Sequence, residues 1–389
     1  MTSDLLASRA PSPPNRPRVS VVIPCLNEAE NIEECISRAN AILAESGISG
    51  EVIVADNCSE DGSGQLARAA GATVVDEPRR GYGSAYLAGF AAATGDYIIM
   101  IDADLTYDFA DIPRFVQELD AGADLVMGNR MTGIQPGAMP WMNRYIGNPL
   151  LSGFLKLLIR TDVGDAHCGM RGLRRDALPI LDLNSTGMEF ASEMVIRAAR
   201  RGLDIREFPI KLHPRGGESK LSPFRDGWRH LRLILIYSPN FVLLLPGLLL
   251  ILVGALITGL VFGQVTIFGR GWYLHTLIVG TALVIIGTQL TALGLCGRVY
   301  GVFVLGDRDA WLERLQGRIR MEHGLVAGLT VIATGVALGV FIIVKWIDRG
   351  LGTLAEERLA ILSVTLIVTG MQIFFTTFLL SILGLRRRR

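Results

Sequence analysis

Two aspartates separated by one residue, Asp102 and Asp104, are the strongest indication of chemistry in this sequence. They follow residues 97–101, an apolar run that predicts a buried strand. Mg²⁺ is usually held by one or two carboxylates together with substrate phosphates, so the pair is suited to holding a cation against a diphosphate. Exposed turns also use aspartates for their own hydrogen bonds. Taken alone, the pair leaves a metal site and an ordinary turn both open.

The surrounding sequence predicts the elements that position this pair. Short apolar runs alternate with helical spacing, which is typical of an α/β domain with a largely parallel sheet. The predicted strands are 19–24, 51–55, 72–75, 97–101 and 124–127, and the predicted helices are 27–45, 63–70, 84–93 and 112–121. Ligands of open parallel sheets bind outside the carboxyl ends of the strands. Asp56 follows the second strand, so we expect it on the same edge as Asp102 and Asp104.

Several motifs occur in order along this domain. They are V-V-I-P-C-L-N-E from Val21, V-I-V-A-D-N-C-S-E-D-G from Val52, G-Y-G from Gly81, M-I-D-A-D-L from Met100 and G-N-R ending at Arg130. The series resembles the family 2 glycosyltransferases of the GT-A fold, and specifically the polyprenyl-phosphate (dolichol-phosphate) mannose and glucose synthases. The resemblance covers residues 19–237 and implies a Rossmann-like domain that transfers sugars from nucleotide-sugars.

The resemblance also implies roles for residues at the strand ends. The nucleotide-sugar is expected to contact Pro24, Asn27, Glu28, Asp56, Gly81, Asp102 and Ala103. Asp102 and Asp104 are expected to bind Mg²⁺ or Mn²⁺ and to act in catalysis. The sequence departs from the family at Asn57, where a second acidic residue is common, and at Thr106, where mannose synthases commonly have Gln. These departures put the contacts to the base, and a third protein ligand to the metal, in question.

A later stretch, G-D-A-H-C-G-M-R from Gly164, indicates the donor. It resembles the D-x-x-C-G-x-R motif of glucose-type synthases more than the T-S-G-F-R motif of mannose-type ones. The expected donor is therefore UDP-glucose, with GDP-mannose as the alternative. Asp165 in this stretch is a candidate catalytic residue that would orient the donor or the acceptor. His167 and Cys168 fit a packed loop better than a metal site.

Basic residues indicate how phosphates would be bound. The stretch from Arg215 through Ser219 and Lys220 resembles the arginine and the Ser-Lys pair that precede the membrane segments of the family. Arg130 and Arg144 are further candidates, because the guanidinium fork matches phosphate oxygens. These five residues are the candidate ligands of the lipid phosphate and the diphosphate. Other cations between residues 211 and 232 are suited to anionic lipid heads.

Of the 389 residues, 50% are apolar and only 19% are charged, and the apolar excess lies beyond residue 240. Crossing a bilayer takes about 20 mostly apolar residues in a helix. Four segments reach this length without Lys, Arg, Asp or Glu: residues 241–262, 272–297, 324–344 and 359–385. The sequence thus predicts four transmembrane helices. Residues 141–160 hold a shorter apolar run flanked by arginines, which predicts either a core helix or a helix in the membrane interface.

Basic residues in the loops orient these four segments. Arginines are most frequent between the second and third spans and at the end of the chain. This places the α/β domain and both termini on the cytoplasmic side, in a multi-pass protein of the cytoplasmic membrane. The predicted order is a disordered segment at 1–18, the catalytic domain at 19–212, an amphipathic juxtamembrane linker at 213–240, the spans within 241–385 and a basic tail at 386–389.

The combined prediction is a membrane enzyme that transfers one sugar from a nucleotide-sugar to polyprenyl phosphate. A phosphate monoester is anionic near neutral pH, so its oxygen can attack the anomeric carbon without a strong base. The leaving diphosphate develops charge that a metal and nearby cations stabilise. The family is inverting, which implies a β-linked polyprenyl-phosphate sugar.

Two rival functions remain open. A processive polysaccharide synthase also joins a GT-A domain to membrane helices, but its Q-x-x-R-W signature is absent from this sequence. A non-catalytic nucleotide-binding scaffold or flippase component would need no intact acidic pair. The lipid bilayer is an expected partner and nucleic acid is not, while a homo-oligomer or a flippase partner is left open.

Overall fold

The computed structural model of the protein describes residues 16–159, 161–215, 223–266, 273–303, 321–351 and 356–385. Contacts between residues divide the chain into two compact units, Met1–Ile236 and Tyr237–Arg389. The first unit carries an α/β sheet, and the second carries long apolar helices. Residues 1–15 of the predicted disordered segment and the predicted basic tail at 386–389 lie outside the described residues. Both therefore stay predictions.

Within the described residues, seven strands form one sheet in the order β3-β2-β1-β4-β6-β5-β7. The strands are β1 Val19–Cys25, β2 Gly50–Asp56, β3 Thr73–Asp76, β4 Tyr97–Met100, β5 Leu125–Asn129, β6 Arg171–Arg174 and β7 Ile205–Pro209. All of them except β6 run in one direction, since β6 pairs antiparallel with both β4 and β5. The predicted α/β class, the largely parallel sheet and strands β1 to β5 are confirmed.

The centre of the sheet is apolar on both faces. Val21, Val22 and Ile23 of β1 are fully buried, as are Ile98 and Ile99 of β4. Parallel strands covered on both faces are continuous β-branched runs, because every side chain enters a core. This burial explains why the short apolar runs of the sequence predict the central strands.

Helices cover the sheet within the first unit. They are α1 Ile32–Glu45, α2 Ser63–Ala69, α3 Tyr82–Ala92, α4 Ile112–Asp120, α5 Asn148–Ile159, α6 Leu178–Leu181, α7 Phe190–Arg201 and α8 Pro223–Ile236. The predicted helices α1 to α4 are confirmed, but α1 begins at Ile32 rather than at Asn27. Asn27 has a φ of 53°, in the left-handed region that a right-handed helix does not use. The residues between Cys25 and Ile32 form the loop that follows β1.

Strands β6 and β7 are not predicted from the sequence. The four residues of β6, Arg-Gly-Leu-Arg, lack the β-branched pattern, yet Arg171 is fully buried. Its guanidinium donates to the carbonyls of Ala166, Cys168 and Ala191, each at 2.8 Å. A buried charge costs free energy unless such bonds replace its water. Arg171 therefore fixes the loop that leads into β6.

Residues 141–159 form a surface helix and not a core helix. A π-helical turn at Asn143–Gly147 precedes α5. Trp141, Tyr145 and Leu157 are 67%, 59% and 62% exposed. An exposed face of this kind, with aromatic rings beside aliphatic side chains, is typical of a helix in the membrane interface. This finding favours the interfacial alternative of the two that the sequence leaves open.

Four helices of the described second unit are long and apolar enough to cross a membrane, as predicted. The candidate spans are Asn240–Phe262, Leu274–Val302, Glu322–Asp348 and Glu357–Leu383. The α-helices themselves are Leu245–Phe262 after a π-helical turn at Asn240–Leu244, then Leu274–Phe303, Met321–Asp348 and Glu357–Leu385. The protein is therefore a membrane protein by length and composition of its helices.

Glycines let these helices approach closely. A side chain on Gly254 of the first helix would come within 2.5 Å of the Gly280 carbonyl oxygen on the second. On the third helix, a side chain at Gly335 would come within 2.9 Å of the Ser363 carbonyl oxygen on the fourth, while the Ser363 hydroxyl donates to the Gly335 carbonyl at 2.8 Å. Membrane helices associate through such small residues because lipid supplies no hydrophobic drive between them.

Candidate active site

The carboxyl ends of β1 and β2 carry most of the residues predicted to hold the nucleotide. Pro24 is the penultimate residue of β1, and Asp56 is the last residue of β2. The parallel register sets Cys25 beside Asp56, so both strands end on the same edge. Asn27 and Glu28 lie in the loop immediately after β1. The structure therefore brings these four predicted residues to one edge of the sheet.

Side chains of the β2–α2 loop hold the β1–α1 loop in place. The Ser59 hydroxyl accepts from the Asn27 amide at 3.0 Å, and the Ser63 hydroxyl accepts from the Glu28 amide at 2.8 Å. The Asn27 side-chain oxygen in turn accepts from the Glu60 amide at 2.8 Å. These hydrogen bonds are donated by both loops, so the two loops form one fixed rim beside Asp56.

Asn57 ties this rim to the loop that carries Gly81. Its side-chain nitrogen donates to the carbonyls of Glu77 and Arg79 at 3.0 and 2.8 Å, and its oxygen accepts from the Gly81 amide at 2.6 Å. Gly81 has a φ of 149°, and a side chain there would come within 2.2 Å of the Thr186 carbonyl oxygen. The departure at Asn57 thus has a structural reason, since a carboxylate could not donate to the two carbonyls.

An Asn57→Asp variant is expected to lose about 1–3 kcal/mol of stability, because the carbonyls of Glu77 and Arg79 lose their donor and face a carboxylate. The Michaelis constant for the nucleotide-sugar should also rise, because the loop before Gly81 loses two of its three hydrogen bonds to residue 57. Thermal unfolding in detergent and donor titration measure the two effects. The exposed Asn184→Asp, whose side chain donates only to the Asp182 carbonyl, is the control. Equal stability of the two variants would contradict the role of Asn57 in connecting the two loops by hydrogen bonds.

Asp102 follows β4, and two tyrosines of α3 fix its carboxylate. The hydroxyls of Tyr82 and Tyr86 donate to its Oδ1 at 3.1 and 3.2 Å. Burial, with the nearby charge of Asp102, raises the pKa of both tyrosines well above the ordinary value, so the hydroxyls stay protonated and donate. Burial and repulsion from Asp104 raise the pKa of Asp102 to about 6.

Asp104 has its own donors. The backbone amide and the hydroxyl of Thr106 donate to its Oδ1 at 3.1 and 2.5 Å. Its Oδ2 lies 3.1 Å from the guanidinium of Arg215. Thr106 therefore binds the carboxylate rather than offering a further metal ligand.

These donors are compatible with a divalent cation at the pair. In the described part of the chain, no group of three or more His, Cys, Asp and Glu side chains could hold a metal ion. Mg²⁺ and Mn²⁺ do not need such a group, because donor phosphates and water complete their coordination. Repulsion between two partly buried carboxylates is the feature that a cation would relieve. The residues present thus fit a cation held by Asp102, Asp104 and a diphosphate.

Arg130 and Asp165 form a buried pair at the end of β5. The Arg130 guanidinium donates to both carboxylate oxygens of Asp165, at 2.7 and 2.8 Å, and the Arg130 amide donates to Oδ2 at 3.1 Å. Burial alone would raise the pKa of Asp165, but the charge and hydrogen bonds of Arg130 hold it below the usual range. The remaining Arg130 nitrogen lies 3.4 Å from the Tyr107 hydroxyl. Both predicted residues are therefore in one network.

Gly169 connects this network to Asp102. Its amide donates to the Tyr107 hydroxyl at 2.7 Å, and a Cβ at this position would come within 2.2 Å of Asp102 Oδ2. Real Cβ atoms do not approach oxygen so closely, so only glycine fits beside the carboxylate. The loop before β6 thus lies directly against one member of the acidic pair.

A Gly169→Ala variant is expected to lose about 100-fold in the specificity constant, because the added methyl group displaces the Asp102 carboxylate from its position, and misplacement by about 1 Å can cost this much. Initial rates of glycolipid formation over a series of donor concentrations measure the loss. Gly122→Ala is unsuitable as a control because of its positive φ, whereas Gly153→Ala adds a methyl group in open space on α5. Similar rates for Gly169→Ala and Gly153→Ala would contradict this contact.

A second set of bonds joins the same loop to α7 and α8. The Ser192 hydroxyl lies 3.2 Å from His167 Nε2 and 2.8 Å from His230 Nδ1. The two imidazole rings meet edge to face with centroids 4.5 Å apart. Burial and the nearby charge of His230 lower the pKa of His167 well below the ordinary value, so this ring is neutral at physiological pH. His167 therefore packs in the loop, as the sequence favours.

Comparison with known proteins agrees with this geometry. The family model for glycosyl transferase family 2 matches residues 20–180, and the model for the family 2 C-terminal transmembrane region matches residues 295–384. The low-salt glycan biosynthesis hexosyltransferase Agl6 of Haloferax volcanii is 40% identical over 370 residues, which are 95% of this chain and 89% of that protein. The chain belongs to the family 2 glycosyltransferases. It is an enzyme that joins a GT-A-like domain to a membrane region.

Other similar proteins match a little over half of this glycosyltransferase. A dolichyl-phosphate hexose transferase of Haloferax volcanii is 34% identical over 54% of this chain and 89% of that protein. Glucosyl-3-phosphoglycerate synthase of Mycobacterium tuberculosis, solved with Mn²⁺, uridine diphosphate and phosphoglyceric acid, is 24% identical over 57% of this chain and 77% of that chain, with a TM-score of 0.46.

Not every predicted site residue of the glycosyltransferase joins the network. Ala103 is buried between the two aspartates. Arg144 lies on the π-helical turn, with its guanidinium 5.3 Å from the Tyr145 ring centre, and within the described residues it makes no ion pair with Asp102 or Asp104. Ser219 and Lys220 lie outside the described residues, so their phosphate role stays a prediction.

The sequence does not predict the residues that hydrogen-bond to the predicted site residues and fix their side chains. Tyr82 and Tyr86 are the main case, although their spacing puts both on one face of a helix. That spacing was the available signal. Their partner Asp102 could not be inferred from it, because the contact depends on how α3 and β4 pack. Tyr107 and Gly169 were missed for the same reason.

Proposed function

We propose that this glycosyltransferase moves a single hexose from a nucleotide-sugar to polyprenyl phosphate, with inversion, to give a β-linked polyprenyl-phosphate sugar. The observation that carries the proposal is the acidic pair. Asp102 and Asp104 each have Oδ1 bound by hydroxyl groups, and Arg215 is placed 3.1 Å from Asp104 Oδ2. Carboxylates and a cation at a strand end are the groups that a departing diphosphate requires.

Asp102 and Asp104 would hold Mg²⁺ or Mn²⁺. When bound, such a cation supplies Lewis-acid stabilisation of the diphosphate charge. Arg215 has a guanidinium Nε that is buried and has no hydrogen-bond partner among the described residues. A buried donor without a partner costs about 1–3 kcal/mol. We infer that a diphosphate oxygen of the donor accepts this hydrogen bond.

The acceptor needs no deprotonation, because its phosphate is already anionic. Asp165 is accordingly proposed to position Arg130 rather than to remove a proton, since both its oxygens already accept from that arginine. Arg130 in turn would present its charge towards the lipid phosphate. Arg144, Ser219 and Lys220 are proposed as further phosphate contacts, as their types suggest.

The acceptor class is proposed from two features of the chain. The exposed aromatic and aliphatic side chains before and along α5 suit a bilayer surface, where a lipid phosphate is available. A relative named for dolichyl-phosphate hexose transfer supports the same acceptor class. We further propose that the first unit and both termini lie on the cytoplasmic side, because arginines are most frequent in the corresponding loops.

UDP-glucose is the proposed donor and GDP-mannose the alternative, on the basis of the D-x-x-C-G-x-R stretch at residues 165–171. Purified protein, one polyprenyl phosphate, Mg²⁺ or Mn²⁺ and a panel of nucleotide-sugars test this directly. The expected product carries one hexose on a β-phosphodiester. Formation of product from GDP-mannose alone would overturn the donor proposal and leave the reaction class intact.

The same assay separates the rival functions. A processive synthase would extend the product with time, whereas the proposed enzyme stops at one sugar. A non-catalytic scaffold or flippase component would bind nucleotide but form no glycolipid from any donor. Either result would overturn the proposed single transfer.

A further inference from the structure

Tyr82 and Tyr86 donate to the same oxygen of Asp102, and this arrangement has a consequence for the second oxygen. Two hydroxyls at 3.1 and 3.2 Å occupy Oδ1. No hydrogen bond within the described ranges reaches Oδ2, which faces Gly169, the residue without a side chain. The carboxylate is thus oriented through one oxygen, while the other accepts no hydrogen bond from the described residues.

Asp104 shows the same arrangement with a different donor. The Thr106 hydroxyl and amide both bind Oδ1, at 2.5 and 3.1 Å. The Oδ2 atom forms an ion pair with Arg215 at 3.1 Å. In both aspartates Oδ1 is therefore fixed by hydrogen bonds, whereas Oδ2 accepts none from the described residues in Asp102 and is paired with Arg215 in Asp104.

Aromatic packing keeps the tyrosine hydroxyls in place. The Tyr86 ring stacks on Phe190 of α7, with centroids 5.8 Å apart and planes 5° apart. Tyr82 meets Tyr86 edge to face at 4.9 Å. Rings held on several sides have few alternative rotamers, so the hydroxyls are presented to Asp102 without further ordering.

We propose that Tyr82, Tyr86 and Thr106 are positioning residues of the metal site, which hold the two carboxylates so that one oxygen of each is directed to the cation. The proposal rests on the proposed function, which places a divalent cation at Asp102 and Asp104. Groups that hydrogen-bond to metal-ligating carboxylates orient them, and their loss typically costs about 10- to 100-fold in metal affinity or activity. None of the three residues would touch the cation or the substrates.

A titration of the full chain in detergent with Mn²⁺, in the absence of nucleotide, tests this proposal. The electron paramagnetic resonance signal of free Mn²⁺ gives the dissociation constant. Tyr82→Phe/Tyr86→Phe removes only two hydroxyls, and its dissociation constant for Mn²⁺ is expected to rise about 10- to 100-fold. Tyr97→Phe is the matched control, since the Tyr97 hydroxyl binds Asp120 at the opposite end of β4. Asp102→Asn removes a proposed metal ligand and serves as the control for loss of Mn²⁺ binding.

Turnover supplies a second readout that a general loss of stability would not produce. The Mn²⁺ concentration for half-maximal rate should rise in Tyr82→Phe/Tyr86→Phe by the same factor as the dissociation constant. At saturating Mn²⁺ the rate constant should return to within about threefold of wild type, because the missing hydroxyls act on affinity and not on the reacting atoms. A lower rate constant with unchanged Mn²⁺ dependence would overturn the proposal.

Thr106 provides an independent test if the tyrosine variant does not fold. Thr106→Val removes the hydroxyl with little change in shape, and should weaken Mn²⁺ binding about tenfold or more. Thr106→Ser keeps the hydroxyl and should restore most of the affinity. Equal affinities for the valine and serine variants would overturn the proposal for Asp104.

The outcomes separate this proposal from the proposed function. If Asp102→Asn loses Mn²⁺ and Tyr82→Phe/Tyr86→Phe binds it like wild type, the positioning role is wrong while the metal site stands. If the wild-type chain binds no Mn²⁺, the positioning role is also overturned. Sugar transfer to polyprenyl phosphate, measured as glycolipid, then tests the proposed function separately.

Discussion

Asp104→Asn is expected to lower glycolipid formation by about a thousandfold or more, because it removes a carboxylate that is proposed to hold the cation stabilising the leaving diphosphate. Asparagine keeps the size of the side chain and one oxygen but loses the negative charge. Purified membranes with nucleotide-sugar, Mg²⁺ or Mn²⁺ and polyprenyl phosphate provide the measurement. The loss should appear in the rate constant at saturating donor.

Asp176→Asn is the matched control for this variant. Asp176 pairs with Arg174, and the register places Arg174 beside Tyr97, at the opposite end of β4 from the acidic pair. The control should retain the wild-type rate, as an exposed ion pair contributes little. Full turnover by Asp104→Asn would remove the acidic pair from the mechanism.

Arg130→Met is expected to destabilise the first unit by about 3–5 kcal/mol, because it leaves the charge of Asp165 buried without a partner. Asp165 is fully buried, and both its oxygens accept from Arg130. Thermal unfolding in detergent measures the change. Arg38→Met, which removes an exposed pair with Glu34, should leave the unfolding temperature nearly unchanged.

A double variant distinguishes the cost of the unpaired charge from a loss of packing. Arg130→Met/Asp165→Leu removes both charges, and is expected to recover most of the lost stability. Activity should not recover, since Arg130 is proposed to bind phosphate. A double variant as unstable as Arg130→Met would contradict this account.

The pH dependence of stability follows from the same pair. Arg130 holds the pKa of Asp165 below the unfolded value of about 3.9. The pair therefore contributes its full stability above that unfolded pKa, and the contribution is lost as the pH falls through the lower folded pKa. In Arg130→Met burial should raise the pKa of Asp165, so acid should stabilise the variant and destabilise wild type, and the two should differ less in stability at low pH.

The edge of the sheet that carries the site could be predicted from the sequence. Strands β1, β2 and β4 are buried on both faces, so their apolar runs are continuous and their ends are clear. A parallel sheet brings the carboxyl ends of its strands to one edge, independently of how the helices pack. This is why Asp56, Asp102 and Asp104 were expected on one edge, as the structure shows.

Other parts of the site depend on contacts that local patterns do not reveal. Strand β6 consists of Arg-Gly-Leu-Arg, and it is stable because Arg171 reaches three backbone carbonyls that lie outside the strand. Tyr82 reaches Asp102 only because α3 packs beside the end of β4. Such partners are set by tertiary packing, which overrides local propensity.

Strand β6 also determines the order in which the first unit can be completed during synthesis. Strands β4 and β5 do not pair with each other, because β6 lies between them and pairs with both. Strand β6 leaves the ribosome after β4 and β5. Until residues 171–174 emerge, one edge of β4 and both edges of β5 stay open to wrong partners. A chain stopped before Arg171 should therefore aggregate, and the nascent enzyme is exposed to chaperones over that interval.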